Sequence, residues 1–406
     1  MSSPGAIATA ARPSHVPAER VVDINIYDLP GQAADFHRAW QALQQGAPDI
    51  VWTQRNEGHW IALAGPIIAE VQGDHERFSN RVIIIPKSVG EQHGLIPTTI
   101  DPPEHRPYRK LLNEGMSLAV VRGLHGQIRA TAAALIDGFA SAGHCDFTAQ
   151  YAGELPIRIF LEQVGIPLGD AGQLRLWAAC MTRPGMPMSF EEAKAAFYAY
   201  LDPVVRARAA DPGTDLISHV VSADIGGRRL SHEEALALAT QILIAGVDTV
   251  VNILGFILLA LARDPALRAA FAAMDSRAVL AATNELFRRF GLVTIARTVR
   301  HDMVFHGVEL KAGELVCIPT QLHGLDEAVN PAALVIDLAR KGARHSTFGS
   351  GPHMCPGQEL ARAEVAITIE EWLKRIPDFR VAPDSDLSSG HGIVGCITRL
   401  CLEWTP

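Results

Sequence analysis

One cysteine lies in a setting that favours chemistry. Residues 348–357 read FGSGPHMCPG, and a strongly helical sequence follows directly. Cys355 therefore precedes a predicted helix N-terminus, where the helix dipole and free N–H groups favour the thiolate, the form that binds metal. Pro356 suits the first helical position, and the glycines let the backbone approach a flat ligand. The segment predicts a ligand-binding thiolate; the alternative is a buried structural cysteine beside an ordinary glycine turn.

A second candidate is the polar pair Asp248-Thr249 inside the long apolar stretch 242–262. In a buried helix, a carboxylate beside a hydroxyl can bind water and relay protons. Alternatively, Thr249 bonds the carbonyl four residues earlier in its own helix, and Asp248 is paired elsewhere. The stretch is long enough to span a bilayer, but an ionised Asp near its centre would cost about 2.5–3.5 kcal/mol on insertion scales. We therefore expect a helix through the core of a soluble protein, and no membrane.

Composition excludes several classes of protein. The 406 residues are 48% hydrophobic and 20% charged, which argues against disorder. The net charge of −8 lacks the basic excess that binds nucleic acid. Six cysteines without a CxxC pair predict reduced thiols. Because the first twenty residues hold no apolar run typical of a signal sequence, we expect a cytoplasmic, soluble protein.

Helical periodicity dominates the chain and predicts a mainly α fold with small β-sheets. The predicted helices cover residues 33–46, 103–115, 117–139, 191–209, 231–262, 265–274, 279–290 and 357–375. The predicted strands cover residues 59–65, 308–310, 314–320 and 398–404. Residues 80–103 are rich in proline and glycine yet apolar, so we expect a long loop over a site. With no repeat and no polar linker, we predict a flexible tail over 1–20 and one domain over 21–406.

Four segments together resemble the cytochromes P-450, the heme-thiolate monooxygenases. The FGSGPHMCPG segment resembles the family's F-G-x-G-x-H-x-C-x-G heme loop, and AGVDT at 245–249 resembles the oxygen-binding segment of its central helix. Residues 285–288 resemble the E-x-x-R pair, and 337–340 resemble the segment whose arginine completes that charge cluster. The similarity extends from about residue 20 to the C-terminus and is closest to the bacterial camphor hydroxylase group.

The resemblance implies a triangular single-domain fold that holds heme b between the central helix and the helix after Cys355. Cys355 would be the axial thiolate ligand of the iron, and Asp248 and Thr249 would be the catalytic residues that deliver protons. The other implied heme contacts are the propionate partners Arg109, Arg297 and His353, with Phe348 and Gly349 in the heme loop. A buried structural charge cluster would consist of Glu285, Arg288 and Arg340.

The implied substrate pocket departs from that of the camphor hydroxylase. His93 stands where that enzyme has a tyrosine that bonds the substrate ketone. A neutral imidazole can also donate to a carbonyl, although a lone loop histidine is more often solvated. The other implied substrate contacts are Ile84, Leu95, Thr98, Gln241, Ile244, Val293, Ile393 and Val394. This wall indicates a bulky, apolar terpenoid or norisoprenoid, a cyclic ketone among the candidates.

Electrons must come from outside the chain, since no strand is followed by a GxGxxG motif. The resemblance implies a [2Fe-2S] ferredoxin and its NAD(P)H-dependent reductase, with Arg109 and Arg362 as candidates for a basic docking face. One alternative function is a non-enzymatic heme-thiolate sensor or carrier. Another is a zinc site on Cys355 with His353 or His345, although these residues lack paired Cys/His spacing.

Overall fold

The protein is described by a computed structural model over residues 9–183, 186–390 and 392–406. The described residues form fourteen α-helices. They are α1 (Phe36–Ala42), α2 (Gly65–Gly73), α3 (Lys87–Gly90), α4 (His105–Gly115), α5 (Leu118–Asp137), α6 (Leu155–Val164), α7 (Ala171–Thr182), α8 (Phe190–Ala210), α9 (Leu216–Ser222), α10 (His232–Arg263), α11 (Pro265–Ala272), α12 (Ser276–Arg289), α13 (Thr320–Leu325) and α14 (Gln358–Arg375).

The strands of the described chain are short and belong to small sheets. They are β1 (Val21–Val22), β2 (Ile50–Thr53), β3 (His59–Ala62), β4 (Phe78–Ser79), β5 (His144–Asp146), β6 (Thr294–Val299), β7 (Met303–Phe305), β8 (Val308–Leu310), β9 (Leu315–Pro319), β10 (Arg380–Val381), β11 (Asp386–Gly390), β12 (Cys396–Arg399) and β13 (Cys401–Glu403). The largest sheet has the order β1-β2-β3-β9-β6-β4, with β1–β2 and β3–β9 parallel. The others pair β10-β13-β5, β11-β12 and β7-β8. The predicted mainly α fold with small β-sheets is confirmed.

Most predicted helices are present with shifted ends, but two boundaries were wrong. The first predicted helix shrinks to α1, which Asp35 caps by accepting from the Arg38 N–H and which ends at Ala42. The predicted strand 398–404 is divided between β12 and β13, which lie in different sheets. Leu400 separates them because its N–H bonds the Thr148 hydroxyl and its carbonyl bonds the Phe147 N–H. Contacts from distant residues therefore divided a strand that the local sequence pattern predicted to be continuous.

The expected loose tail over residues 1–20 is wrong for its second half. Residues 1–8 lie outside the described residues. The Ala10 N–H donates to the Gln54 carbonyl at 2.8 Å, and Val16 is fully buried. His15 Nε2 lies 3.0 Å from Glu314 Oε1. Residues 10–20 therefore pack on the large sheet.

Two apolar cores surround the central helix α10. The larger core contains the second half of α10 together with α5, α12, α14 and the large sheet. The smaller core contains the first half of α10 together with α6, α7, α8 and α9. Helix α10 begins with a capping box in which Ser231 accepts from the Glu234 N–H and Glu234 returns a bond to the Ser231 N–H. The polar pair 248–249 lies between the two halves of this helix.

Helix α10 is the one described helix that is long and apolar enough to cross a bilayer. However, 71% of its most apolar window is buried inside the protein. A core helix passes the same test of length and composition. This helix therefore does not indicate a membrane protein.

Candidate active site

The segment before α14 places Cys355 in a tight, glycine-bearing loop. The Cys355 N–H donates to the Phe348 carbonyl at 2.7 Å, which closes the loop. Gly349 and Gly351 have φ of +75° and +66°, and a Cβ on Gly351 would lie 2.9 Å from the backbone of Gly73 in α2. A side chain at these positions would strain the turn or displace α2. The glycines therefore let the Cys355 loop turn tightly and pack against α2.

Pro356 is not the first residue of the helix, contrary to the prediction. Helix α14 begins at Gln358, and Gly357 is its N-cap. The Gly357 N–H is consequently free to face the Cys355 sulfur. Burial raises the pKa of the Cys355 thiol above its usual value, and the Gly357 N–H and the Arg109 charge oppose that shift. In the absence of a bound cation, burial prevails; a metal at the sulfur would stabilise the thiolate.

Cationic and imidazole groups with unused hydrogen-bonding atoms surround this loop. Arg297 is 3% exposed and its Nε is buried without a partner, as are Nε2 of His353 and Nε2 of His105. The two imidazole rings lie 4.1 Å apart. Burial lowers the pKa of Arg297 to about 10, and burial with nearby cations lowers that of His353 to about 2. Unpaired buried donors of this kind fit an anionic ligand, as the two propionates of heme are.

Arg109 and Arg362 are the two candidates for a basic docking face. Arg109 is half-buried in α4, where its Nε donates to Asn113 Oδ1 at 3.1 Å. The Arg362 guanidinium lies 5.0 Å from the centre of the Phe348 ring and 3.3 Å from Asn284 Oδ1. These contacts place Arg362, which is half-buried like Arg109, against the heme loop. Its place in a basic docking face stays a prediction.

Asp248 and Thr249 make the contacts of the alternative interpretation, in which Asp248 is paired with other side chains and Thr249 bonds a carbonyl of its own helix. Arg183 Nη2 donates to both carboxylate oxygens of Asp248, at 2.7 and 2.9 Å, and Asn252 Nδ2 donates to Oδ1 at 3.1 Å. The Thr249 hydroxyl donates to the Ala245 carbonyl at 3.3 Å. The long Thr249 bond is weak, and a hydroxyl keeps free acceptor sites while it donates. Both groups thus remain chemically available in the middle of α10.

Glu285, Arg288 and Arg340 meet in one buried cluster. Arg288 donates from Nε and Nη2 to the two Glu285 oxygens, each at 2.7 Å, and from Nη1 to the carbonyls of Gly324 and Ala333. Arg340 Nε reaches Glu285 Oε1 at 3.2 Å. The cluster ties α12 to α13 and to the chain before the heme loop. Its contacts are internal, in keeping with a structural role.

His93 is buried, not solvated: it is 5% exposed, and the Gln241 side chain lies within hydrogen-bonding reach of its ring. Burial and the charge of Lys194 lower its pKa to about 4, so the imidazole is neutral at pH 7. The remaining predicted wall residues divide between the cores: Ile84, Leu95 and Ile244 are buried in the smaller one, Val293 and Val394 lie with the larger one, and Ile393 contacts both. Thr98 is half-buried, and its carbonyl accepts from Asn80.

Two residues of the site were not predicted. Arg183, the partner of Asp248, follows α7 in a stretch without any motif, so nothing in its sequence surroundings signals it. His105 stands in the same HRPYR segment as Arg109, and that proximity could have drawn attention to it. Across the described ranges, no three His, Cys, Asp or Glu side chains are grouped to hold a metal ion. The zinc alternative therefore has no ligand set there.

Known proteins similar to this chain belong to the family that the sequence motifs resemble. Residues 277–388 match the family model described as Cytochrome P450. The chain is 32% identical to the "Probable cytochrome P450 127A1" of Sinorhizobium fredii over 98% of both chains. It is 31% identical to a steroid C26-monooxygenase of Mycobacterium tuberculosis, over 92% of this chain and 93% of that one.

Solved structures agree in fold as well as sequence. The crystal structure of CYP101J2 matches with a TM-score of 0.91 and 42% identity, and that of CYP101C1 with 0.90 and 36%. Each match covers 98% of this chain and 100% of the other. The resemblance to the camphor-type group is thereby confirmed, and the family implies a heme cofactor with an axial cysteine thiolate. The chain belongs to the cytochrome P450 family of heme-thiolate monooxygenases.

Proposed function

We propose that this monooxygenase hydroxylates a bulky, apolar terpenoid or norisoprenoid, including cyclic ketones, with electrons from a ferredoxin. The observation that carries the assignment of the site is the set of buried, unpartnered donors around the Cys355 loop, on Arg297, His105 and His353. Such groups are costly to bury unless a ligand satisfies them. Cys355 would bind the heme iron, and the cationic groups with Arg109 would hold the propionates.

The reaction inserts one oxygen atom of O2 into a C–H bond and releases the other as water, consuming two electrons and two protons. Heme, when bound, supplies the activation of dioxygen, with the thiolate donating electron density. The protein must deliver the protons into a largely dry pocket. Asp248 can take up protons at its carboxylate, and the Thr249 hydroxyl can accept a proton and give up its own once it turns from the Ala245 carbonyl, to which it now donates.

Substrate recognition would combine an apolar wall with one polar end. Ile84, Leu95, Ile244 and Val394 are buried and offer only hydrocarbon. His93, buried and neutral, can donate one hydrogen bond to a substrate carbonyl if the ring N–H is on the nitrogen that Gln241 does not use. A ketone on an otherwise apolar skeleton satisfies both features, whereas a charged substrate would lose its hydration without compensation.

The electron donor would be an acidic [2Fe-2S] ferredoxin reduced by an NAD(P)H-dependent reductase. Arg106 and Lys110 are exposed on α4 beside the half-buried Arg109, and together they form a local basic surface on an acidic protein. Complementary charge would steer the encounter and make reduction sensitive to salt. These properties suit a soluble, cytoplasmic enzyme.

One set of measurements tests the proposal. The purified protein is reduced and exposed to CO to establish thiolate ligation, and terpenoid ketones are screened for a low-to-high-spin shift. A positive ligand is then incubated with a [2Fe-2S] ferredoxin, its reductase, NAD(P)H and O2. Formation of a hydroxylated product, slowed by salt, is expected. A heme-thiolate spectrum with no oxygen consumption under any of these conditions would instead indicate a sensor or carrier.

A further inference from the structure

A short backbone segment near the C-terminus connects two parts of the protein next to the proposed site. The Ile393 N–H donates to the Thr182 carbonyl at the end of α7, at 2.9 Å. The Ile393 carbonyl accepts from the Thr294 N–H at the start of β6, at 2.8 Å. We call residues 392–396 the connecting segment. It fastens the end of α7 to the large sheet through main-chain hydrogen bonds.

Gly392, the first residue of the connecting segment, leaves the space that Arg183 occupies. A Cβ on Gly392 would lie 2.6 Å from the Thr182 carbonyl oxygen and 2.9 Å from Arg183 Cγ. Its φ is +152°, which L side chains rarely adopt. Because one of the colliding atoms is backbone, a larger residue must move the end of α7, the Arg183 side chain or the connecting segment itself.

Arg183 and Asn252 both donate to the Asp248 carboxylate, and of the two only Arg183 contacts both carboxylate oxygens. A single nitrogen of Arg183, Nη2, makes both contacts, and the Arg183 and Asp248 side chains are only 19% and 13% exposed. A partly buried ion pair depends on geometry, since its Coulomb gain must exceed the cost of desolvation. A shift of the Arg183 stem would therefore change where Asp248 points.

We propose that Gly392 is a positioning residue for proton delivery. By lacking a side chain, it lets Arg183 pass and hold the Asp248 carboxylate in one orientation. This inference rests on the proposed role of Asp248. Ile393, next in the chain, contacts both apolar cores and belongs to the proposed substrate wall, so the same segment faces the pocket and the ion pair.

The test compares Gly392→Ala with Gly307→Ala. Gly307 also has a positive φ, +79°, but a Cβ there would meet nothing within 4 Å. In the holoenzyme with ferredoxin and reductase, Gly392→Ala is expected to lower product formation about tenfold, since misplacing a positioned group by about 1 Å can cost up to ~10²-fold. The solvent deuterium isotope effect on turnover should rise, because proton delivery becomes slower. Gly307→Ala should match the unaltered protein in both measurements.

Amide hydrogen exchange tests the same proposal without requiring turnover. In the ferric protein, amide hydrogen exchange at residues 179–183 should be faster in Gly392→Ala and unchanged in Gly307→Ala. Unchanged exchange together with an unchanged isotope effect in Gly392→Ala would overturn the proposal.

Asp248→Asn separates this inference from the proposed function. Alone, it should slow turnover and raise the isotope effect; if it does neither, the proposed proton relay fails. Adding Gly392→Ala to Asp248→Asn should cause no further loss, because residues that act through one group are not additive. Multiplied losses would show that Gly392 supports only the fold, and would refute its positioning role while leaving the relay intact.

A second variant covers the case in which Gly392→Ala does not bind heme. A Cβ on Gly395 would collide with Cζ of the buried Phe36 ring, so Gly395→Ala should displace the connecting segment from its other end. We expect Gly395→Ala to show the same results as Gly392→Ala: slower turnover and a larger isotope effect. Combined with Asp248→Asn, it should cause no further loss. Wild-type behaviour of Gly395→Ala would contradict the proposal.

Discussion

Arg288 and Glu285 form a two-pronged ion pair inside the protein: Nε and Nη2 donate to Oε2 and Oε1, both at 2.7 Å, and the Arg288 side chain is fully buried. Arg288 also donates to the carbonyls of Gly324 and Ala333, which lie on either side of residue 330. The pair thus holds the chain that leads to the heme loop. Removing one partner would leave the other charge buried and uncompensated.

Arg288→Ala should therefore destabilise the protein by about 3–5 kcal/mol, the usual cost of breaking a buried pair. The loss should appear as a lower thermal midpoint and as poor heme retention after purification. Arg206→Ala is the control, because its ion pair with Asp202 is exposed and such pairs contribute about 0–1 kcal/mol. Equal stability losses in the two variants would contradict a structural role for the buried cluster.

Cys355→Ser should abolish the thiolate signature of the reduced, CO-bound protein, since a serine hydroxyl is a far weaker ligand for iron than a thiolate. Hydroxylation should fall to background. Cys180→Ser replaces a buried cysteine of the smaller core and serves as the control. It should keep the spectrum and the activity, with a small loss of stability. A thiolate spectrum in the Cys355 variant would assign the ligand to another cysteine.

Thr249→Ala should keep substrate-driven consumption of NAD(P)H but divert oxygen to hydrogen peroxide. Its hydroxyl is the group placed to pass protons in the middle of α10, and general acid–base groups typically contribute about 10²–10⁴-fold. We expect product per NAD(P)H to fall at least about tenfold, less than that range because proton delivery is only one contribution to coupling. Peroxide and product are measured in the same reaction.

The matched control for Thr249 lies in the same helix. The Thr240 hydroxyl also donates to the carbonyl four residues earlier, that of Leu236, at 2.8 Å. Thr240→Ala removes the same kind of helix bond, yet coupling of NAD(P)H to product should be unchanged. If both variants lose coupling equally, the effect comes from the helix and not from the position of Thr249.

The residues that the sequence predicted best are those whose chemistry is local. The glycines around Cys355 and the E-x-x-R spacing depend on a few neighbours along the chain, and both are found in the expected arrangement. The roles of Arg183 and His105 could not be assigned from the sequence, because both arise from distant contacts. Arg183 contacts Asp248, 65 positions away along the chain, and His105 contacts His353, 248 positions away. A strand boundary failed for the same reason: at Leu400, side-chain and backbone bonds from residues 147–148 interrupt a strand pattern.

His93→Phe should weaken binding of a ketone substrate about tenfold, because one neutral hydrogen bond is worth about 0.5–1.5 kcal/mol. The phenyl ring keeps the aromatic contact with Phe190, whose ring centre lies 5.7 Å away. Affinity is measured from the spin-state shift. The hydrocarbon analogue that lacks the carbonyl is the control and should bind both proteins equally. An equal loss for ketone and hydrocarbon would show that His93 only shapes the pocket.

The buried state of His93 also predicts a pH dependence. Burial lowers the pKa of this imidazole from 6.5 to about 4, so between these values the unfolded chain binds a proton that the folded protein does not. Its contribution to stability is therefore full above about pH 6.5 and declines as the pH falls toward 4. Thermal midpoints of the ferric protein should decrease less steeply over this range in His93→Phe than in the unaltered protein. His301→Gln, at an exposed position, should follow the unaltered protein.

Substrate affinity should stay constant between pH 6 and 8, since His93 remains neutral. A change of affinity with pH in that range would contradict the assignment of His93 as a buried, neutral donor.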